Sequence, residues 1–312
     1  MRPSLPTGRR LRRAWVLMLA ARWPVVLRTT DGQTWKAVGL PGRGHPMAVE
    51  FIDLQKGWIV ASLSAAEGRG VAILRTTDGG RTWRVTRNSS LVSPAEHHSL
   101  FFLDASHGWV VGWAHDARLS VVLRTDDGGV RWRQVPVTDK LVTLTSVAFA
   151  DAERGWIYGY DNQHVGTPGA AFTTSDGGRT WQPVVADLAP HFGLFRLDSA
   201  HLWSLGEYAQ MLRLSAEGTD WEPVGSSAKA PDLFSFATAS VGWGIHYDRG
   251  EEGVAVGWQL LRTADGGSTW TDCRVDLPDE PIDLSCRTAD SVVVVSLAGT
   301  IATVSTTADP GR

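Results

Sequence analysis

Apolar positions along the chain come in short alternating runs, four to a repeat, and glycine and aspartate stand between them. In the fourth repeat the runs are 144–150, 155–160, 170–174 and 180–184. Their period of two predicts half-buried strands. The turn residues Asp151 with Gly155, and Asp176 with Gly177 and Gly178, predict antiparallel hairpins between them.

One block closes the second hairpin of each repeat. It reads Leu27-Arg-Thr-Thr-Asp-Gly-Gln-Thr-Trp35 and returns as Leu74-Arg-Thr-Thr-Asp-Gly-Gly-Arg-Thr-Trp83 and Leu123-Arg-Thr-Asp-Asp-Gly-Gly-Val-Arg-Trp132. Further copies are Phe172-Thr-Thr-Ser-Asp-Gly-Gly-Arg-Thr-Trp181, a degenerate Leu212-Arg-Leu-Ser-Ala-Glu-Gly-Thr-Asp-Trp221, and Leu261-Arg-Thr-Ala-Asp-Gly-Gly-Ser-Thr-Trp270. The chain stops inside a seventh, Ser305-Thr-Thr-Ala-Asp-Pro-Gly-Arg312. Trp35, Trp83, Trp132, Trp181, Trp221 and Trp270 are spaced 48, 49, 49, 40 and 49 residues apart, the length of a propeller blade.

A second block, Phe51-Ile-Asp-Leu-Gln-Lys-Gly-Trp58, alternates with the first and recurs at Phe102–Trp109 and Phe149–Trp156. Weaker copies stand at Arg196–Trp203 and Phe236–Trp243, and an eroded one at Cys286–Val293. The expected fold is an all-β propeller of about seven four-stranded antiparallel blades, with the first and last incomplete. Three strands at the front, five whole blades and three strands at the back account for the pattern.

This parse reassigns the N-terminus. Arg9, Arg10, Arg12 and Arg13 before an apolar run imitate a signal peptide. However, Arg13-Ala-Trp15-Val-Leu aligns with His107-Gly-Trp109-Val-Val, so, with the four runs of a repeat lettered A to D in chain order, residues 14–20 read as strand B of the first blade. Residues 1–13 are then a basic segment and 14–312 a single propeller domain.

Composition adds exclusions. A net charge of −3 without charge runs gives no nucleic-acid footprint, and no apolar stretch is long enough to span a membrane as a helix. The two cysteines, Cys273 and Cys286, lack metal-site spacing; they are either two buried thiols or one bridge between neighbouring strands. The 33 glycines and 15 tryptophans belong to the repeat, with only Trp23, Trp113 and Trp258 outside it.

Tight turns leave backbone N–H groups without partners, and a short carboxylate can accept them. That task is assigned to Asp31, Asp78, Asp127, Asp176 and Asp265. The following glycines take positive φ at little steric cost. The closing tryptophan covers the hairpin, with its N–H satisfied locally. A carboxylate present in every blade is scaffold, because catalysis needs one or two.

The motif Ser/Thr-x-Asp-x-Gly-x-Thr-Trp resembles the Asp-box, or bacterial neuraminidase repeat, of sialidases, sortilin-type receptors, two-domain xyloglucanases and photosystem II assembly factor-like proteins. Its alternation with Phe-x-Asp-x-x-x-Gly-Trp is most similar to the last group, whose propellers act as assembly platforms. The resemblance covers residues 14–312 and implies a non-enzymatic, monomeric, extracytoplasmic scaffold that binds a protein partner and needs no cofactor. A secreted glycosidase is the alternative. Sialidase residues do not carry over, since the tyrosines are only Tyr158, Tyr160, Tyr208 and Tyr247 and no Arg-Ile-Pro segment precedes the first box. A xyloglucanase cleft needs two propellers.

Two candidate surfaces remain. Arg28, Arg75, Arg124, Arg213 and Arg262 precede the boxes, and in register they would ring one edge with guanidinium groups suited to an acidic partner. The competing reading pairs each with an acid of the neighbouring blade and lays its stem on a tryptophan. The opposite, loop face collects His45, His97, His98, His115, His164, His191 and His246, with Glu96, Asp116, Asp161, Asp248, Glu251 and Glu252. Solvated loops explain that set, and no pair has metal-ligand spacing except adjacent His97-His98, whose side chains diverge. Asp161 and Asp248 are the least implausible glycosidase pair.

Overall fold

The computed structural model describes residues 15–18, 25–30, 34–41, 45–63, 70–89, 99–114, 119–138, 142–161, 170–184, 190–206, 210–215, 220–225, 230–250, 255–277 and 279–306. These residues are all-β and form seven antiparallel sheets in chain order, the blades of a β-propeller.

Blade one holds β1 (Trp15–Met18), β2 (Val25–Thr29) and β3 (Trp35–Gly39). Blade two holds β4 (His45–Phe51), β5 (Gly57–Leu63), β6 (Gly70–Thr76) and β7 (Arg84–Ser89). Blade three follows with β8 (Leu100–Phe102), β9 (Gly108–Ala114), β10 (Leu119–Thr125) and β11 (Arg133–Pro136), and blade four with β12 (Val142–Phe149), β13 (Gly155–Asp161), β14 (Ala170–Thr174) and β15 (Gln182–Pro183). Blade five comprises β16 (Pro190–Asp198), β17 (His201–Gly206), β18 (Met211–Leu214) and β19 (Trp221–Pro223). Blade six comprises β20 (Leu233–Phe236), β21 (Gly242–Arg249), β22 (Ala255–Thr263) and β23 (Thr271–Asp272). Blade seven has β24 (Pro281–Thr288), β25 (Ser291–Ser296) and β26 (Ile301–Ser305). The sheets therefore contain three strands, then five sets of four, then three, as the repeat parse expects.

Strands A to D run inward to outward. Successive blades meet through their first strands, β4 on β8, β12 on β16, β16 on β20 and β20 on β24. The fourth strands β11, β15 and β23 are short and largely exposed. The core therefore lies between blades, where Trp58, Trp109, Trp203 and Trp243 are the largest fully buried side chains.

The second block builds these interfaces. Each phenylalanine packs over the glycine six residues on, so closely that a Cβ on Gly57, Gly108, Gly155 or Gly242 would sit 2.4–2.7 Å from the ring. That ring then stacks flat on the strand-B tryptophan of the preceding blade: Trp58 on Phe102 at 3.5 Å, Trp109 on Phe149 at 3.6 Å and Trp203 on Phe236 at 4.0 Å between centroids. The box tryptophan of its own blade meets it edge-on, as in Phe102–Trp132 at 5.9 Å and Phe149–Trp181 at 5.8 Å. Edge and face contacts of this kind add to area burial because ring faces and edges carry opposite charge.

Cys273 and Cys286 are not joined by a disulfide. Cys286 is buried and its Sγ donates to the Ser235 carbonyl at 2.9 Å; Cys273 is half-buried, and burial pushes its thiol up to about 11.

Candidate functional site

The Asp-box turn is closed on itself. Asp78 Oδ1 accepts from the Arg81 and Thr82 N–H groups at 2.9 and 3.0 Å and from the Thr76 hydroxyl at 2.8 Å, while Oδ2 accepts from the Thr82 hydroxyl at 2.7 Å. The Thr76 hydroxyl in turn accepts from the Gly80 N–H at 2.9 Å. Asp176 and Asp265 repeat this arrangement. Asp127 has Arg131 where the others have threonine, and it accepts from the Arg131 N–H at 2.8 Å and the Thr125 hydroxyl. Burial raises these carboxyls, but the converging donors outweigh it: Asp78 and Asp176 fall from 3.8 to about 2, and Asp127 and Asp265 are also lowered. Asp31 lies outside the described residues.

The first glycine of each described box sits at φ +72 to +77, and its N–H reaches back to the first hairpin turn of the blade, as Gly128 does to the Ser106 carbonyl at 2.8 Å. With the N–H turned inward, the carbonyl faces the preceding blade, and that blade grips it. Trp58 Nε1 donates to the Gly128 carbonyl at 2.9 Å, Trp109 to Gly177 at 3.1 Å and Trp203 to Gly266 at 3.2 Å.

The candidate arginines belong to the same latch. Trp58 pairs with Arg75 across β5–β6, Trp109 with Arg124 across β9–β10, and Trp243 with Arg262 across β21–β22. Cross-strand partners share a sheet face, so both side chains reach one spot. Arg28 Nε donates to the Gly79 carbonyl and Arg124 Nε to the Gly177 carbonyl, each at 2.8 Å. Arg124 is buried and also pairs with Asp126; Arg28, Arg75 and Arg262 are half-buried; Arg213 is exposed, 3.9 Å from Glu222. Where a neighbouring acid was one expected partner, the nearest acceptor at two junctions is a main-chain carbonyl.

The box tryptophans differ from expectation as well. Trp132 donates to the Gly129 carbonyl at 3.1 Å, but the buried Nε1 groups of Trp83, Trp181 and Trp270 have no acceptor. Their place is fixed by ring contacts instead. Trp35 is half-buried, and Trp221 meets Trp156 and Tyr158 edge-on at 6.1 and 6.0 Å.

On the loop face, His246 contacts the Ala230 carbonyl at 2.9 Å, and Gln259 donates to both oxygens of Asp248. His97, His98, His115, His164, Glu96, Asp116, Glu251 and Glu252 lie outside the described residues, as do the side chains of His45, His191 and Asp161. Among the described residues no three metal-ligating side chains gather.

The box-side exterior carries a feature that the arginine search passed over. Arg81, Arg131 and Arg179, the cations within the boxes of blades two, three and four, are exposed, and Arg154 is exposed beside Asp151. Their signal was the box itself, where a cation recurs three or four residues after the aspartate.

The family profile described as photosynthesis system II assembly factor YCF48 matches residues 27–143. The chain is an Asp-box β-propeller akin to the photosystem II assembly-factor group. The propeller is 27% identical over 202 residues to the photosystem II assembly lipoprotein Ycf48 of Synechococcus sp. (strain CC9902), covering 62% of this chain. It spans about half, 52%, of the length of that curated relative. Among solved structures, YCF48 bound to D1 peptide aligns with TM-score 0.51 and 20% identity over 93% of this chain and 99% of that one. The Niastella koreensis GH74 enzyme aligns with TM-score 0.67 and 15% identity over 90% of this chain and 49% of that one. At such identities the two structures speak for the fold alone.

Proposed function

We propose that this propeller is a non-enzymatic scaffold that binds a polypeptide of a partner and assists its assembly into a complex, outside the cytoplasm. The observation that carries the reading is the use of the repeated chemistry. The box carboxylates are saturated by their own turns, and Arg28 and Arg124 are engaged between blades. The exposed side chains on that side include Arg81, Arg131 and Arg179 of blades two to four, interspersed with Asp53, Asp104, Asp126 and Glu153, and the guanidinium groups suit an acidic segment. A relative recorded with a bound D1 peptide and another described as an assembly lipoprotein support both the partner class and the location.

The test uses the whole chain. Deleting its gene should remove one oligomeric complex from native gels of the host envelope, and the wild-type chain should restore it. A chain with Arg81→Glu, Arg131→Glu and Arg179→Glu should fail to restore it while keeping the wild-type melting temperature. Turnover of xyloglucan or a fluorogenic sialoside by the purified protein would overturn the reading in favour of a glycosidase.

A further inference from the structure

The loop face of blades six and seven exposes apolar side chains. Among the described residues, Val256, Ile282 and Leu297 are 72, 41 and 67% exposed. Topology brings them to one side of adjacent blades, since β22 and β24 start there and β25 ends there. Two of the three stand at irregularities of the ladder. Asp248 pairs with Gly257 and Arg249 with Ala255, which leaves Val256 without a cross-strand partner. Pro281 pairs with Ser296 and Asp283 with Val295, which passes over Ile282 in the same way. An extra residue in one strand breaks the alternation and re-aims its side chain. A bulge near the start of strand A recurs in blades two and four, but there its residues, Met47 and Thr145, are half-buried. In blade seven the isoleucine is turned out to solvent. The Leu297 N–H donates to the Glu280 carbonyl at 2.8 Å, so Ile282 and Leu297 flank the one Pro281–Ser296 pair. The Tyr247 hydroxyl of blade six donates to the Pro281 carbonyl and joins the two blades at this point.

The charge around this patch is negative. Residues 275–286 hold Asp276, Asp279, Glu280 and Asp283 and no lysine or arginine. Asp279 accepts from the Ser296 and Thr300 hydroxyls at 3.0 and 2.5 Å, and Asp232 holds Arg249 at 2.7 Å. Glu280 is half-buried and Asp283 is exposed, on either side of Pro281 and Ile282. Their field reaches the adjoining phenol. Burial first, and then the charges of Glu280 and Asp232, push the Tyr247 hydroxyl up to about 12; Arg249 pulls the other way and Asp283 adds to the rise.

We infer that the loop face of blades six and seven docks a basic, apolar segment of a partner polypeptide, whose aliphatic side chains cover Val256, Ile282 and Leu297 and whose lysines or arginines meet Glu280 and Asp283. Charge selects this occupant, because the same carboxylates repel an acidic segment and an anionic membrane surface. Single exposed apolar residues are ordinary on a protein surface, whereas three on neighbouring strand ends beside unshared acids make an amphipathic patch. This surface adds a second contact to the partner-binding reading without depending on it. It lies on the opposite side from Arg81, Arg131 and Arg179 and has the opposite preference.

Selection of a randomised peptide library, displayed on phage, against the immobilised full chain tests the site. A pool combining lysine or arginine with leucine, isoleucine or valine should emerge. It should survive on the Arg81→Glu, Arg131→Glu, Arg179→Glu chain, where any acidic pool is lost, and vanish on a Glu280→Lys, Asp283→Lys chain. In fluorescence anisotropy the leading basic peptide should bind an Ile282→Ser, Leu297→Ser chain about tenfold more weakly than the wild type, the effect of leaving apolar surface of two side chains in water. These substitutions face solvent, and unchanged melting temperatures establish that both chains are folded. Absence of a basic, apolar pool, or one that binds both variants as tightly as the wild type, would overturn the site. So would dimerisation of the wild type that the Ile282→Ser, Leu297→Ser chain lacks, since a second copy would then be the occupant. An acidic pool alone would remove this site and leave the box-side reading standing; a basic pool alone would do the reverse.

Discussion

The Trp109 ring lies flat on the Phe149 ring of the next blade, 3.6 Å between centroids and 15° from parallel, while its Nε1 holds the Gly177 carbonyl of that same blade. Two contacts from one side chain thus tie blade three to both halves of blade four. Phe149 is fully buried and also meets Trp181 edge-on. Phe149→Ala should therefore cost about 3–5 kcal/mol, measured by urea denaturation. A cost under about 1 kcal/mol would mean that the blades do not depend on this ladder.

Trp109→Phe and Trp243→Phe remove similar volumes from equivalent places, but only the first removes a satisfied hydrogen bond. The first should cost about 1–3 kcal/mol more than the second, since it removes one of the two hydrogen bonds on the Gly177 carbonyl, which Arg124 Nε still holds, while the second relieves an unmatched donor. Equal costs in thermal denaturation would contradict the latch.

Gly128 stands at φ +72, and a Cβ there would lie 2.4 Å from the Ala105 carbonyl oxygen. Gly128→Ala combines that clash with a left-handed backbone, so destabilisation of at least about 1–3 kcal/mol is expected from the melting curve. Gly39 has nothing within 4 Å of such a Cβ and serves as the tolerant control.

The box carboxylates set the acid limit. Asp78 and Asp176 have folded values near 2, below their ordinary 3.8, so their stabilisation is complete above about 4 and is lost as the pH falls from about 4 towards 2. Melting temperature should drop across that window in the wild type. The drop should be shallower in an Asp78→Asn, Asp176→Asn variant, and an unchanged slope would show that other groups titrate.

Much of this was legible from spacing. The strands of blade four lie within two residues of the runs read from alternation, and the donors converging on Asp78 and Asp176 are the local groups that a tight turn leaves over. The contacts between blades were not legible. Trp58 and Gly128 are 70 residues apart, and Arg124 and Gly177 are 53 apart; a repeat shows what each blade contains but not which neighbour it touches. Hairpin counting held the clue, since it pairs Trp58 with Arg75 and Trp109 with Arg124 on one face. The phenylalanines of the second block gave less, because their partner ring comes from the previous repeat.

The central claim is that the recurring carboxylates hold hairpins shut and do no chemistry. Amide hydrogen exchange on an Asp176→Ala chain tests it most directly. Loss of protection at the Arg179 and Thr180 N–H groups, with the turns of blades two and six still protected and the envelope complex still restored, is the predicted result. Unchanged protection in blade four together with loss of the complex would place Asp176 in a functional site and contradict the account.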